Sequence, residues 1–159
     1  MTLLQPADPA PEFTLPTADG SQVSLTEVRA ACDKGVIVYF YPKAASPGCT
    51  QEACDFRDNL ASLQGAGYQV IGISADPLTD LRAFAENQHL TYPLASDADH
   101  TVAQAYGTWG PKTLDGRTFE GVHRSTFVID PAGGVVVAHY DVNPDGHVAS
   151  LRKQLQVGR

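Results

Sequence analysis

Two cysteines carry the chemistry that is easiest to read from this chain. Cys49 closes the run Tyr39-Phe40-Tyr41-Pro42-Lys43-Ala44-Ala45-Ser46-Pro47-Gly48-Cys49-Thr50, where an apolar stretch gives way to a helical pattern, and Cys54 follows five residues later. Ser46 suits a helix N-cap and Pro47 the first helical position, so Cys49 falls in the first turn. There the positive end of the helix dipole and the unpaired backbone N–H groups favour the thiolate, which is the nucleophilic form of cysteine. A thiol with a pKa near 8.5 is only about 3% thiolate at about pH 7, against roughly 90% for one near 6. That gap is within reach of a helix terminus plus one arginine brought from elsewhere in the chain. The C-x4-C spacing is neither a zinc-binding spacing nor the C-x-x-C dithiol, so redox chemistry at a pair fits better. Cys32 belongs to no motif and reads as a lone thiol.

Bulk properties narrow the setting. The chain has 159 residues, 43% of them hydrophobic and 18% charged, as for one ordinary globular domain spanning 1–159. A chain of this size buries about 68–70% of its unfolded surface and needs no disulfide to fold. The net charge of −7, the pI near 5.0 and only 11 scattered Lys and Arg residues argue against a nucleic-acid partner. The start of the chain shows no basic region followed by an apolar stretch, and the longest apolar run, residues 36–41, is far short of the roughly 20 residues of a membrane helix. The expectation is a cytoplasmic protein without a membrane partner. The histidines at 89, 100, 123, 139 and 147 have no spacing that builds a metal site.

The elements that must position the thiols follow from periodicity. Short alternating pieces at 13–15 and 22–24 flank an Asp19-Gly20 turn and predict an N-terminal hairpin. Residues 36–41 are a continuous β-branched and aromatic run, the mark of a strand buried on both faces, and the run stops at Pro42. Ala53, Phe56, Leu60 and Leu63 recur at helical spacing until Gly65 and Gly67, giving a helix of about 16 residues. A second buried strand at 68–74 and a helix from Pro77 to near His89 complete a β-α-β-α series, hence a partly parallel sheet. Tyr92-Pro93-Leu94-Ala95 reads as an edge strand and 102–106 as a brief helix. Residues 107–121 have no steady period and read as a loop. Strands at 125–129 and 135–140 form a hairpin around residues 130–134, and Val148, Leu151 and Leu155 mark a terminal helix. The fold class is α/β.

At this point the residues carry a resemblance. Pro42-x-x-x-Ser46-x-x-Cys49 is similar to the P-x-x-x-(T/S)-x-x-C signature of peroxiredoxins. The segment Pro47-Gly48-Cys49-Thr50-x-x-x-Cys54, the segment around Tyr106, Gly107, Trp109, Gly110 and Lys112, and the run from Gly121 through His123, Arg124 and Ser125 to Asp130 resemble the peroxiredoxin Q, or bacterioferritin comigratory protein, subfamily. The likeness spans almost the whole chain. It implies a thioredoxin-like fold with a central mixed sheet flanked by helices, and a thiol peroxidase that reduces hydrogen peroxide and organic hydroperoxides. Cys49 would be the peroxidatic cysteine, passing through a sulfenic acid. Arg124 would donate to thiolate and peroxide, Ser46 would hydrogen-bond the peroxide and Pro42 would shield the pocket. Ser46 stands where many members carry Thr, so the hydroxyl survives without the methyl that fixes its rotamer. No metal or organic cofactor is implied. Trp109 and Lys112 read equally well as core packing and a solvated cation. The competing readings are a thiol–disulfide exchange protein, which the missing C-x-x-C disfavours, and an inactive thioredoxin-like binding scaffold.

The resemblance also makes Cys54 the resolving cysteine, closing an intramolecular disulfide that thioredoxin or a similar dithiol reduces, and it leans toward a monomer. On a straight helix an i to i+5 offset leaves the two Cα atoms roughly 8–9 Å apart, whereas a disulfide tolerates about 7 Å. The first turns must therefore unwind before the bond closes. Amide hydrogen exchange across residues 49–56 is predicted to be faster in the disulfide form than in the dithiol; identical exchange in the two forms would sink the idea.

Overall fold

The computed structural model describes residues 3–157; Met1 and Thr2, at the head of the segment read for a leader, lie outside the described residues. Its elements run β1 (Thr14–Pro16), β2 (Gln22–Ser24), α1 (Leu25–Ala30), β3 (Gly35–Phe40), α2 (Pro47–Gly65), β4 (Tyr68–Ser74), α3 (Leu78–Gln88), β5 (Leu94–Ser96), α4 (Thr101–Ala105), β6 (Trp109–Leu114), β7 (Arg117–Val122), β8 (Ser125–Ile129), β9 (Val135–His139) and α5 (His147–Leu155). The central sheet has strand order β5-β4-β3-β8-β9. β3 pairs parallel to β4 and antiparallel to β8, so the sheet is mixed.

Why β3 reads as unbroken apolar sequence is plain from its two neighbouring layers. Ile37, Tyr39 and the following Tyr41 face one apolar cluster with Phe56 and Leu63 of α2, Leu81 and Phe84 of α3, and Val148 and Leu151 of α5. Val36, Val38 and Phe40 face the other, with Leu15 and Val23 of the N-terminal hairpin, Leu25 of α1 and Val102 of α4. Alternation puts successive side chains on opposite faces, and both faces are covered, so every position is apolar. The strand carries the site at its C-terminal end, where the chain leaves the sheet at Tyr41 and Pro42 and turns into α2.

The antiparallel register of β3 and β8 sets the second half of the site. Phe40 pairs with Ser125, so Arg124 emerges from the sheet level with Tyr41. Its carbonyl accepts from Val142 N–H at 2.9 Å, which holds the segment after β9 against it.

Two elements depart from the sequence reading. Residues 109–122 are not a loop but a hairpin, β6 with β7, closed by Asp115 and Gly116 at φ +54° and +76°. A two-residue hairpin turn needs positive φ at both central positions, and Asp-Gly is its usual sequence. The alternation is missing because the hairpin is largely solvated: Leu114 and Phe119 stand 64% and 45% exposed. The short helix α1 has no counterpart in the sequence reading. Ser24 caps it by accepting from Glu27 N–H, the Ser-x-x-Glu pattern of a capping box, but only Leu25 is buried, so no helical period develops. The other predicted strands and helices stand within a few residues of their expected limits.

Candidate active site

Cys49 is the third residue of α2 and is buried, 1% exposed, in the cluster that includes Tyr39, Tyr41 and Ala53. Its backbone N–H belongs to the first helical turn, where such groups have no partner within the helix. Arg124 comes to it from the start of β8, on the face of the sheet that α2 covers: Nη2 donates to Cys49 Sγ at 3.4 Å and Nη1 donates to Glu52 Oε1 at 2.8 Å. Arg124 is 13% exposed and Glu52 not at all. One guanidinium therefore bridges two acceptors on adjacent positions of one helix face, the geometry its planar fork allows and a lysine's single ammonium does not.

The charges in this triad are set by burial. Burial works against the guanidinium charge, but Cys49 and Glu52 more than offset it and hold the Arg124 pKa above its ordinary value. Burial pushes the Glu52 carboxyl up from 4.5 to about 7, against the pull of Arg124. Lys112 of β6 donates to the Val122 carbonyl at 2.8 Å. Burial, and then the Arg124 charge, lower its pKa. Lys112 is thus half-buried and hydrogen-bonded, not simply solvated. Trp109 stacks on His100 with ring centroids 3.8 Å apart.

Ser46 occupies the N-cap position with extended backbone, yet its side chain makes no capping bond. The hydroxyl instead donates to the Lys43 carbonyl at 2.8 Å. This differs from the sequence reading in a useful way: the hydroxyl leaves the first-turn N–H groups to other acceptors, and a hydrogen bond holds the rotamer that a threonine methyl would otherwise fix. Pro42 is half-buried at the exit of β3. Between Pro42 and Ser46, Ala45 sits at φ +67°, a left-handed conformation that costs a non-glycine residue roughly 1–2 kcal/mol. Such strain persists only where the surroundings over-determine it. Here Asp76 supplies the hold: its carboxylate accepts from Ala44 N–H at 2.7 Å and from Ser74 Oγ at 2.8 Å.

Cys54 lies further along α2, half-buried, with its Sγ 3.3 Å from Gln88 Oε1. All three cysteines are free thiols. Cys32 is remote from this constellation, donating to the Arg29 carbonyl at 3.3 Å, and burial raises its pKa. The structure thus brings Cys49, Arg124 and Ser46 to one end of β3 and leaves Cys54 on the same unbroken helix.

Sequence reasoning missed Glu52, Asp76 and Gly48 as parts of the site. Glu52 had a signal, since an acid three residues after Cys49 shares its helix face with the apolar Ala53 and Phe56. Asp76 had none beyond its place after a strand. Gly48 is needed for close approach: a Cβ there would stand 3.1 Å from Arg124 Nη2 and 3.2 Å from Pro144 Cγ.

Comparison with known proteins agrees with this geometry. The AhpC/TSA family model matches residues 6–138. Peroxiredoxin Bcp of Escherichia coli is 44% identical over 147 residues, covering 92% of each chain. A Mycobacterium tuberculosis protein provisionally named a peroxiredoxin is 53% identical over 156 residues, covering 98% of each. Among solved structures, a variant of Xanthomonas campestris peroxiredoxin Q superposes with a TM-score of 0.84 at 33% identity, covering 98% of this chain and 96% of that one. The likeness extends to the thioredoxin-like arrangement of the central mixed sheet and the N-terminal hairpin.

Gly48→Ala places a methyl against Arg124 while improving helix propensity by about 1 kcal/mol. The rate of Cys49 with hydrogen peroxide is predicted to fall about tenfold while thermal stability holds or rises; an unchanged rate would show that Arg124 has room to spare. Glu52 yields a pH prediction. Between about 4.5 and about 7 the unfolded chain is ionised at Glu52 while the folded chain keeps the proton, so its contribution to stability is lost as pH rises through that window. Glu52→Gln has no proton to lose. In urea unfolding its stability relative to the parent is predicted to improve from about pH 5 to about pH 8 by as much as roughly 3 kcal/mol. A pH-independent difference between the two proteins would refute the buried ionisation.

Proposed function

The chain belongs to the AhpC/TSA family, among its peroxiredoxins, and we propose that it reduces hydrogen peroxide and organic hydroperoxides through Cys49, with Cys54 resolving the product. The observation that carries the residue roles is the Arg124 fork, one arm on Cys49 Sγ and the other on Glu52, at a helix N-terminus.

Attack by the Cys49 thiolate on the terminal peroxide oxygen forms an S–O bond and breaks the O–O bond. The sulfur keeps that oxygen and its proton as a sulfenic acid, and the departing alkoxide or hydroxide takes a proton from water. Negative charge moves from sulfur to the leaving oxygen during this displacement. Arg124, already aimed at the sulfur, and the first-turn N–H groups of α2 are fixed donors along that path, so they need no reorganisation as charge moves. Ser46 orients the peroxide, and Pro42 with buried Tyr41 keeps bulk water from the sulfur. Resolution by Cys54 gives an intramolecular disulfide, which a dithiol such as thioredoxin reduces by thiolate attack through a mixed disulfide. A Xanthomonas campestris bacterioferritin comigratory protein described for its alkyl peroxide reduction activity superposes on this chain with a TM-score of 0.83, which supports organic hydroperoxides as substrates. A chain that resolves within itself needs no cysteine from a second subunit, which fits a monomer, and no helix among the described residues is long and apolar enough to cross a membrane. A cytoplasmic site of action fits both.

Stopped-flow oxidation of the reduced protein tests the assignment. Cys49→Ser abolishes the reaction, and Arg124→Lys slows it about a hundredfold, because a lysine cannot hold Glu52 and the sulfur together. Cys54→Ser keeps the attack step but accumulates a sulfenic acid that dimedone traps. A peroxide rate unchanged in Cys49→Ser would end this reading.

A further inference from the structure

Three contacts converge on the turn of α2 that holds Cys54. Its thiol donates to Gln88 Oε1 at 3.3 Å, at the last residue of α3. Arg57 Nη1 donates to the Gln88 carbonyl at 2.7 Å. The Tyr92 hydroxyl donates to the Ala53 carbonyl at 3.0 Å. Tyr92 is itself tied to the sheet, its hydroxyl 2.7 Å from that of Tyr39 on β3, with both rings buried. Ala53, Cys54 and Arg57 are therefore held by the α3–β5 connection. The turn before them is held by different groups, with Cys49 and Glu52 on Arg124 and Gln51 on Asp145 at 3.1 Å.

We infer that Gln88 and Tyr92 are positioning residues for the second half of the reaction, clamping Cys54 in the helix and so setting the rate at which it resolves oxidised Cys49. The inference rests on the reading of Cys54 as the resolving cysteine. In that step the Cys54 sulfur bonds to the Cys49 sulfur, the S–O bond of the sulfenic acid breaks, and the Cys54 proton leaves with the hydroxyl as water. Cys54 cannot travel to Cys49 without giving up Gln88. The helix cannot open as far as Cys54 without freeing the Ala53 carbonyl, which has Tyr92 as a donor besides the helical N–H four residues on.

The clamp has a chemical consequence. A sulfenic acid that waits meets a second peroxide and advances to the sulfinic acid. Gln88 and Tyr92 thereby divide oxidised Cys49 between a recoverable disulfide and over-oxidation. They do so without touching the peroxide, Cys49 or Arg124.

Gln88→Leu tests this, since the side chain is half-buried at a helix end and an apolar replacement of similar size is accommodated. After a peroxide pulse, disulfide formation followed by rapid quench and mass spectrometry is expected to run about twofold faster than in the parent, the loss of one weak thiol hydrogen bond. The second-order attack rate stays unchanged, and the sulfinic fraction at high peroxide falls. In the reduced protein, amide exchange at residues 50–57 quickens while that of β3 does not; Tyr92→Phe, which also costs Tyr39 its partner, quickens the same amides most. Disulfide formation at the parent rate or slower, or exchange that quickens evenly through the molecule, would overturn the clamp. Absence of a Cys49–Cys54 disulfide in the oxidised parent would overturn the resolving role itself and this inference with it, whereas a normal disulfide at an unaltered rate in Gln88→Leu overturns the clamp alone.

Discussion

A single buried guanidinium organises the end of the molecule where α2 begins. Arg124 is largely shut off from water and needs acceptors where it lies, because a buried cation without them is costly by several kcal/mol. Glu52 accepts from one arm, as a neutral carboxyl below about pH 7 and as a carboxylate above it, and the sulfur of Cys49 receives the other. The arrangement holds the arginine rigid, and on the role proposed for it that rigidity is what would turn a hydrogen bond into a catalytic contribution. Its cost falls on Glu52, which loses its hydration and holds its proton up to about 7. Gly48, where a side chain would press on the guanidinium, belongs to the same constraint.

Helix α2 acts in two opposed ways. Its first turn, led in by the strained Ala45 and the Asp76 brace, offers unpaired N–H groups and a dipole to the thiol. Its continuity also keeps Cys54 too far from Cys49 to bond. The forces on the two cysteines come from separate parts of the fold, Arg124 at the sheet end for one and the α3–β5 connection for the other. The surroundings of the two thiols can therefore change independently of one another.

What could be read from the sequence was whatever burial imprints on it. The apolar run 36–41 announces a strand covered on both faces, and the spacing of Ala53, Phe56, Leu60 and Leu63 announces α2, because each pattern repeats over several turns or pleats. Elements without a dry face leave no such imprint. The β6–β7 hairpin, with Leu114 and Phe119 in solvent, and α1, with Leu25 alone buried, were visible only through the short signals Asp115-Gly116 and Ser24-x-x-Glu27. At the site, Cys49 and its helix position were legible from local residue types. Arg124 was legible only through resemblance, since 75 residues separate it from the thiol. Glu52, Asp76 and the turn of the Ser46 hydroxyl toward Lys43 depend on three-dimensional neighbours that no local pattern encodes.

The pairing of Phe40 with Ser125 bears on how the gene for such a protein can change. Because Arg124 is aimed by strand register, lengthening the exposed turn at Asp115 and Gly116 alters only a solvated hairpin, while one residue gained or lost between Arg124 and Ile129 turns the guanidinium to the opposite face of the sheet. The two cysteines would survive such an event untouched, and the chain could still fold around them. Among descendants of this sequence, length variation should therefore gather in the hairpin and vanish from β8, so that the spacing from Arg124 to the core of that strand separates working copies from lapsed ones better than the presence of the thiols does.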